Sequence, residues 1–215
     1  MSNTQFYNTS YYQGLFDSMT INPDKISIVD SIADKITAGK SRYQAIEAET
    51  GVPWFFIGIV HYLECNLDFG RHLFNGDPLT ARTVNVPAGY PLTGNPPFTF
   101  EFSAVEALKK QGLTSWNDWG IPGMLFQLEA YNGFGYRQYH PDVNSPYLWS
   151  FSSQYTKGKY VSDGHFDAGA VSAQVGAACI LKMVMEKNKL IATVALTGGG
   201  LLAIFSLVIL IMSKR

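Results

Sequence analysis

Trp54-Phe-Phe-Ile-Gly-Ile-Val-His-Tyr-Leu-Glu64-Cys65 is apolar nearly all round. Pro53 precedes it, at a position where the first turn of a helix tolerates proline. A helix of that composition belongs inside a core. Glu64 is its sole charge, closing a stretch whose other polar residues are His61 and Tyr62. Burying an unpaired carboxylate costs several kcal/mol or forces it to take up a proton. The C-terminal end of a helix is partly negative, which also disfavours the ionised form. Both effects push the pKa of Glu64 upward. A carboxyl still protonated near neutral pH is what cleavage of a glycosidic bond requires of its general acid. The plainer reading of the same residues turns Glu64 to solvent at a helix end.

Outward from this helix, Gly51-Val52-Pro53 breaks the chain from a helix expected over Ser41 to Thr50. Before that, Asn22-Pro23-Asp24 opens a helix in which Ile26, Val29, Ile32, Ala33 and Ile36 recur at helical spacing, and Gly39 ends it. Residues 1–22 are polar and Tyr-rich and read as a loose arm. They lack the basic start and apolar run of a Sec-type signal peptide. Thr80 to Phe100 holds Val84-Asn-Val86 followed by several Pro and Gly, which reads as a short β-hairpin insertion or an ordered loop. Helices are expected again over Ser103–Gln111, Trp116–Tyr131 and Phe166–Asn188, with a loop-rich aromatic stretch over Tyr139–Gly164. The fold class is mainly α, in an α+β arrangement with a small hairpin, over residues 23–188.

Ile191 to Met212 carries no charge over 22 residues. A helix of that length spans a bilayer core of roughly 30 Å, so one transmembrane helix is expected over 191–212. Gly198, Gly199 and Gly200 would be tolerated there, since an open backbone group in lipid costs more than the helix entropy. Basic residues flank the run on both sides and leave its orientation open.

Composition narrows the function classes. Hydrophobic residues make up 47% and charged residues 15%, which excludes a disordered chain. Sixteen basic and seventeen acidic residues give a net charge of −1, so no basic field is present to hold nucleic acid. Cys65 and Cys179 form no CxxC and no disulfide framework, and both read as core residues. His61 and Glu64 share a helical face, but no second pair, with His72 or otherwise, completes a metal-ligand set. No metal and no cofactor are expected.

Several segments carry a resemblance. Tyr43-Gln-Ala-Ile-Glu-Ala-Glu-Thr-Gly-Val-Pro53 and the helix ending in Glu64 resemble the opening of lysozyme-like muralytic domains. His61-Tyr-Leu-Glu-Cys-Asn-Leu-Asp-Phe-Gly70, Leu73-Phe-Asn-Gly-Asp77-Pro-Leu79 and Ala81-Arg-Thr-Val-Asn-Val-Pro-Ala-Gly89 are similar to phage and bacterial proteins of the lysozyme family. Gln127-Leu-Glu-Ala-Tyr131-Asn132-Gly133-Phe-Gly135 resembles the Ala-Tyr-Asn-Ala-Gly motif of lytic transglycosylases and goose-type lysozymes. Ser145-Pro-Tyr147-Leu-Trp149 and Tyr155-Thr-Lys-Gly-Lys-Tyr160 extend the match, which covers roughly 40–183. The usual Glu-Ser pair is Glu64-Cys65 here, and the Gly-Leu-Met-Gln segment that often follows is absent.

The resemblance implies a peptidoglycan glycosidase with Glu64 as general acid. It implies Tyr131 and Asn132 along a glycan cleft, with Asn132 near the N-acetyl group. Gly133, Tyr147, Tyr155 and Tyr160 join them as candidate substrate contacts. A hydrolase would need a second carboxylate, for which Asp77 and, less directly, Glu101 are candidates. A transglycosylase needs none, because the sugar's own groups complete the reaction. The expected partners are peptidoglycan strands and, through 191–212, a lipid bilayer, with virion or membrane proteins as neighbours. The expected location is the membrane of a lipid-containing phage particle, or alternatively a bacterial inner membrane facing the periplasm. Two other readings stay open: an inactive wall-binding protein, and a cysteine amidase or endopeptidase using Cys65 with His72, His140 or His165.

Overall fold

The computed structural model describes residues 3–196. The expected membrane span over 191–212 lies mostly outside them. Among the described residues no helix is long and apolar enough to cross a membrane. The fold is mainly helical with one small antiparallel sheet. In chain order it has α1 (Thr9–Ser18), α2 (Ile26–Ala38), α3 (Lys40–Thr50), α4 (Trp54–Cys65), α5 (Phe100–Lys110) and α6 (Ile121–Asn132). Then come α7 (Gly135–Tyr139), α8 (Pro146–Trp149), β1 (Lys159–Ser162), β2 (His165–Asp167) and α9 (Ala177–Leu196).

The all-apolar α4 sits where its composition demands, packed by α2, α3 and α9. Phe56, Ile57, Ile59 and Val60 are fully buried. Gly58 lets α2 come close, since a Cβ there would collide with Ile36. The helix ends abruptly. Asn66 and Leu67 both take left-handed backbone angles, and their N–H groups bond the carbonyls of Tyr62 and His61. That pair of hydrogen bonds is a helix-stopping cap made without glycine, and the left-handed Leu67 stores roughly 1 kcal/mol or more of strain. The stop leaves Glu64 within the last turn, facing out of the core.

Besides α5, which begins at Phe100 rather than Ser103, four boundaries differ from expectation. The described part of the expected arm, residues 3–22, is not loose: α1 packs on α6, and Tyr12, Phe16 and Met19 are buried. Those aromatics sit four apart, so helical amphipathicity was present among the polar residues. Of the two alternatives for Thr80–Phe100, the ordered loop is the one found, with no strand there. The Asp77 carboxylate accepts the N–H groups of Val84 and Asn85 there, which removes donors a strand ladder would need. The sheet instead pairs β1 with β2 around Asp163-Gly164, with Gly164 in the left-handed region. The last helix starts at Ala177, not Phe166, because β2 takes the earlier residues and Gly176 anchors the chain by donating to the Ser150 carbonyl. The helix expected from Trp116 starts at Ile121, because Asp118 accepts from the Gly120 N–H and the Trp116 indole and turns the chain first.

Candidate active site

Glu64 is half-buried on the wall of a cavity of about 650 Å³, with Tyr62, Asn66, Arg71, Asn75 and Gly76 around it. Tyr147, from α8, donates a hydrogen bond of 2.7 Å to Glu64 Oε1. Burial pushes the Glu64 carboxyl above its ordinary range, and the Tyr147 bond pulls it part of the way back. The two effects oppose each other and burial wins. Tyr147 is raised well above its ordinary value by burial and by the neighbouring carboxylate, so it stays a donor. Tyr131 is raised as well, by burial and then by Glu64 and Cys65, and its buried hydroxyl has no hydrogen-bond partner among the described residues. A carboxyl raised by burial and a fixed donor therefore meet at Glu64, while Tyr131 lines a separate cavity beside Trp116 and Phe126.

A second cavity, of about 570 Å³, is lined by Asn132, Tyr136, Tyr147, Lys159, Tyr160 and the hairpin tip at Ser162–Gly164. Ala173 and Gln174 line both cavities. Gln174 was not foreseen from sequence. Its side-chain amide donates 3.0 Å to the Leu63 carbonyl, tying the β2–α9 connection to the end of α4. A glutamine in a loop, bonded to a residue over a hundred positions away, leaves no local signal.

The other candidates divide. Asn132 and Tyr160 line the second cavity, and Tyr160 is braced edge-on by Tyr136 and Phe166. Gly133 caps α6 with φ 81° and gives the turn after Asn132 its direction. Tyr155 is not in either cavity: its hydroxyl donates to Gly158 O and accepts from the Ser172 N–H, so it organises loops. Asp77 is only 7% exposed, and its carboxylate accepts from Val84 N, Asn85 N, Asn85 Nδ2 and Asn75 Nδ2. Those bonds depress its pKa and commit its lone pairs to the loop. Glu101 is held by the Arg42 guanidinium, which lowers its pKa, and lines neither cavity. The carboxylate that does line the second cavity is Asp163, at the exposed hairpin turn.

Cys65 is a poor nucleophile. Its thiol is buried, donates to the His72 carbonyl, and is pushed up to about 12 by burial and the nearby Glu64. His72 spends both ring nitrogens elsewhere, on Ser103 and on the Ala81 carbonyl. His140 stacks on Phe166. His61, the metal alternative's first ligand, pairs with the Tyr43 hydroxyl inside the core, and burial lowers it to about 4. Cys65 and Cys179 are both free thiols.

No protein-family model, no curated protein and no solved structure matches this chain.

Sequence reasoning also missed a buried ionic cluster behind the site. Glu129 on α6 is 2% exposed, accepts 2.6 Å from the Tyr12 hydroxyl of α1, and lies 3.7 Å from Arg137 of α7. Arg137 also covers the Tyr11 ring. The cluster fixes α6, whose next turn carries Tyr131 and Asn132.

Proposed function

We propose that this protein cleaves the glycan strands of peptidoglycan between N-acetylmuramic acid and N-acetylglucosamine, with Glu64 as general acid. The observation that supports it is the half-buried Glu64 at a cavity wall, its carboxyl raised by burial and oriented by Tyr147. An acid of that kind protonates the leaving glycosidic oxygen, and its conjugate base then takes a proton back. Asp77 and Glu101 are committed to other partners. That favours lytic transglycosylase chemistry, in which the substrate's own 6-hydroxyl closes on the anomeric carbon and no second carboxylate is needed. Asn132 and Tyr160 offer an amide and an aromatic face to sugars in the adjoining cavity. The apolar run 191–212 would hold the domain to a membrane, in a lipid-containing phage particle or a bacterial inner membrane.

The test uses the full chain in mild detergent on purified peptidoglycan, beside Glu64→Gln, with products read by mass spectrometry. Fragments ending in 1,6-anhydro-muramic acid, absent with E64Q, are expected. Reducing ends would mean a hydrolase and point to Asp163 or a water held opposite Glu64. Binding without cleavage would replace the enzyme with a wall-binding protein. Cleavage of peptide bonds alone would overturn the role of Glu64.

A further inference from the structure

The connection between β2 and α9 is fastened at its ends and loosely held between them. Gly158 N donates 2.8 Å to Ala170 O at one end, and Gly176 N donates 3.1 Å to Ser150 O at the other. Val175 is buried beside the second anchor. Between the anchors, Ser172 makes only long bonds, 3.3 Å from its N–H to the Tyr155 hydroxyl and 3.5 Å from Ser150 Oγ to its carbonyl. Ala173 and Gln174 are exposed. Ser172 and Ala173 also line a third cavity of about 310 Å³, next to Lys25 and Phe151, so the strap has open space on that side too. The shortest of these intermediate contacts to the rest of the fold is the 3.0 Å bond from Gln174 Nε2 to Leu63 O. That carbonyl belongs to the last turn of α4, where helix carbonyls lack partners of their own.

Two cavities of about 570 and 650 Å³ flank this contact. Each falls in the range, roughly 300–1,000 Å³, that holds one small organic ligand such as a disaccharide. A glycan strand cut in its interior must run continuously through both. A strand cut near its end need fill one cavity and only enter the other.

We propose that Gln174 sets where along a strand cleavage occurs: bonded to Leu63, it keeps the two cavities apart and directs Glu64 to bonds near strand ends. Release of that bond joins the cavities into one groove that accepts strand interiors. This rests on the glycosidase reading of Glu64. Gln174 touches the reacting turn through Leu63 and is a specificity-determining residue, not a proton donor.

The test compares the full chain with Gln174→Ala and Gln174→Met on long, uncrosslinked glycan strands. Small fragments are counted against the fall in mean length of the remaining polymer. The Met variant keeps the bulk of the side chain and removes the donor. Wild type is expected to release small fragments from the first time points while the polymer stays long. Both variants are expected to raise the ratio of internal to terminal cuts about fivefold, the population change that loss of one ordinary hydrogen bond brings. Unchanged fragment ratios with activity intact would overturn the proposal and leave the role of Glu64 standing. A change in Q174A alone would assign the effect to bulk and overturn the hydrogen-bond latch. No fragments from any of the three would sink the glycosidase reading and this inference with it. Gln174 is an exposed loop residue, so melting curves of the variants should coincide with wild type.

Discussion

Tyr147→Phe isolates what the fixed donor does to the acid. The ring stays and the hydroxyl that gives 2.7 Å to Glu64 Oε1 goes. That bond favours the ionised carboxylate, so its loss lets burial act unopposed and the carboxyl holds its proton to higher pH. A hydrogen bond to a charged acceptor is worth about 1.5–3 kcal/mol. Glu64 is half-buried, so water replaces part of it. A net loss near the lower bound corresponds to about one pH unit. Because Glu64 must be protonated to act, the alkaline limb of the rate profile is expected to move up by about that much in Y147F. The plateau at lower pH should fall, since the carboxyl is no longer held in one orientation. The assay is release of glycan fragments between pH 4 and 9, with the Glu64 carboxyl followed in parallel by carbon NMR. An alkaline limb that stays in place, or moves down, would refute the opposition of burial and donor described here.

Three further expectations are independent of that one. Glu129 is raised above its ordinary 4.5, chiefly by burial; a carboxyl that binds its proton more tightly when folded lends stability that is complete below about pH 4.5 and fades as pH rises through the folded value. Glu129→Gln should therefore flatten the melting temperature between pH 4.5 and 7, and profiles parallel to wild type would count against it. Asp77 has the opposite sign, a depressed carboxyl whose stabilisation is present above 3.8 and lost as pH falls. Asp77→Asn should cost about 2 kcal/mol in urea titrations through weakened loop bonds, while folded protein keeps its cleavage rate within a few fold; loss of activity at unchanged stability would restore Asp77 as a second carboxylate. Cys65→Ala should leave cleavage intact and iodoacetamide should not inhibit the native protein, whereas inactivation by either would revive the cysteine mechanism.

Much of the helical frame was legible because α2 and α4 speak through composition: one by spacing, the other by having almost nothing polar in it. That Glu64 closes α4 followed from composition; that it lines a cavity and bonds Tyr147 did not. What was not legible came from side chains that bind backbone far away. Asp77 decided for the loop over the hairpin by taking the amides of Val84 and Asn85. Tyr12 brought the N-terminal segment into the core by reaching Glu129, 117 positions on. The real hairpin had a local sign, Asp163-Gly164, of the kind that favours a tight turn, and it was hidden within a stretch read by its aromatics. Gln174 had no local sign at all.

Lysines at the far end of the chain carry a mechanical consequence. Lys187 on α9 bridges Asp30 and Asp34 of α2, and Lys182 donates 2.7 Å to the Met19 carbonyl. The same helix packs against α4, whose last turn holds Glu64. So the first turns of α9, from Ala177 to Val184, belong to the core rather than to a trailing end, and a change that loosens them would be felt in the packing of α4.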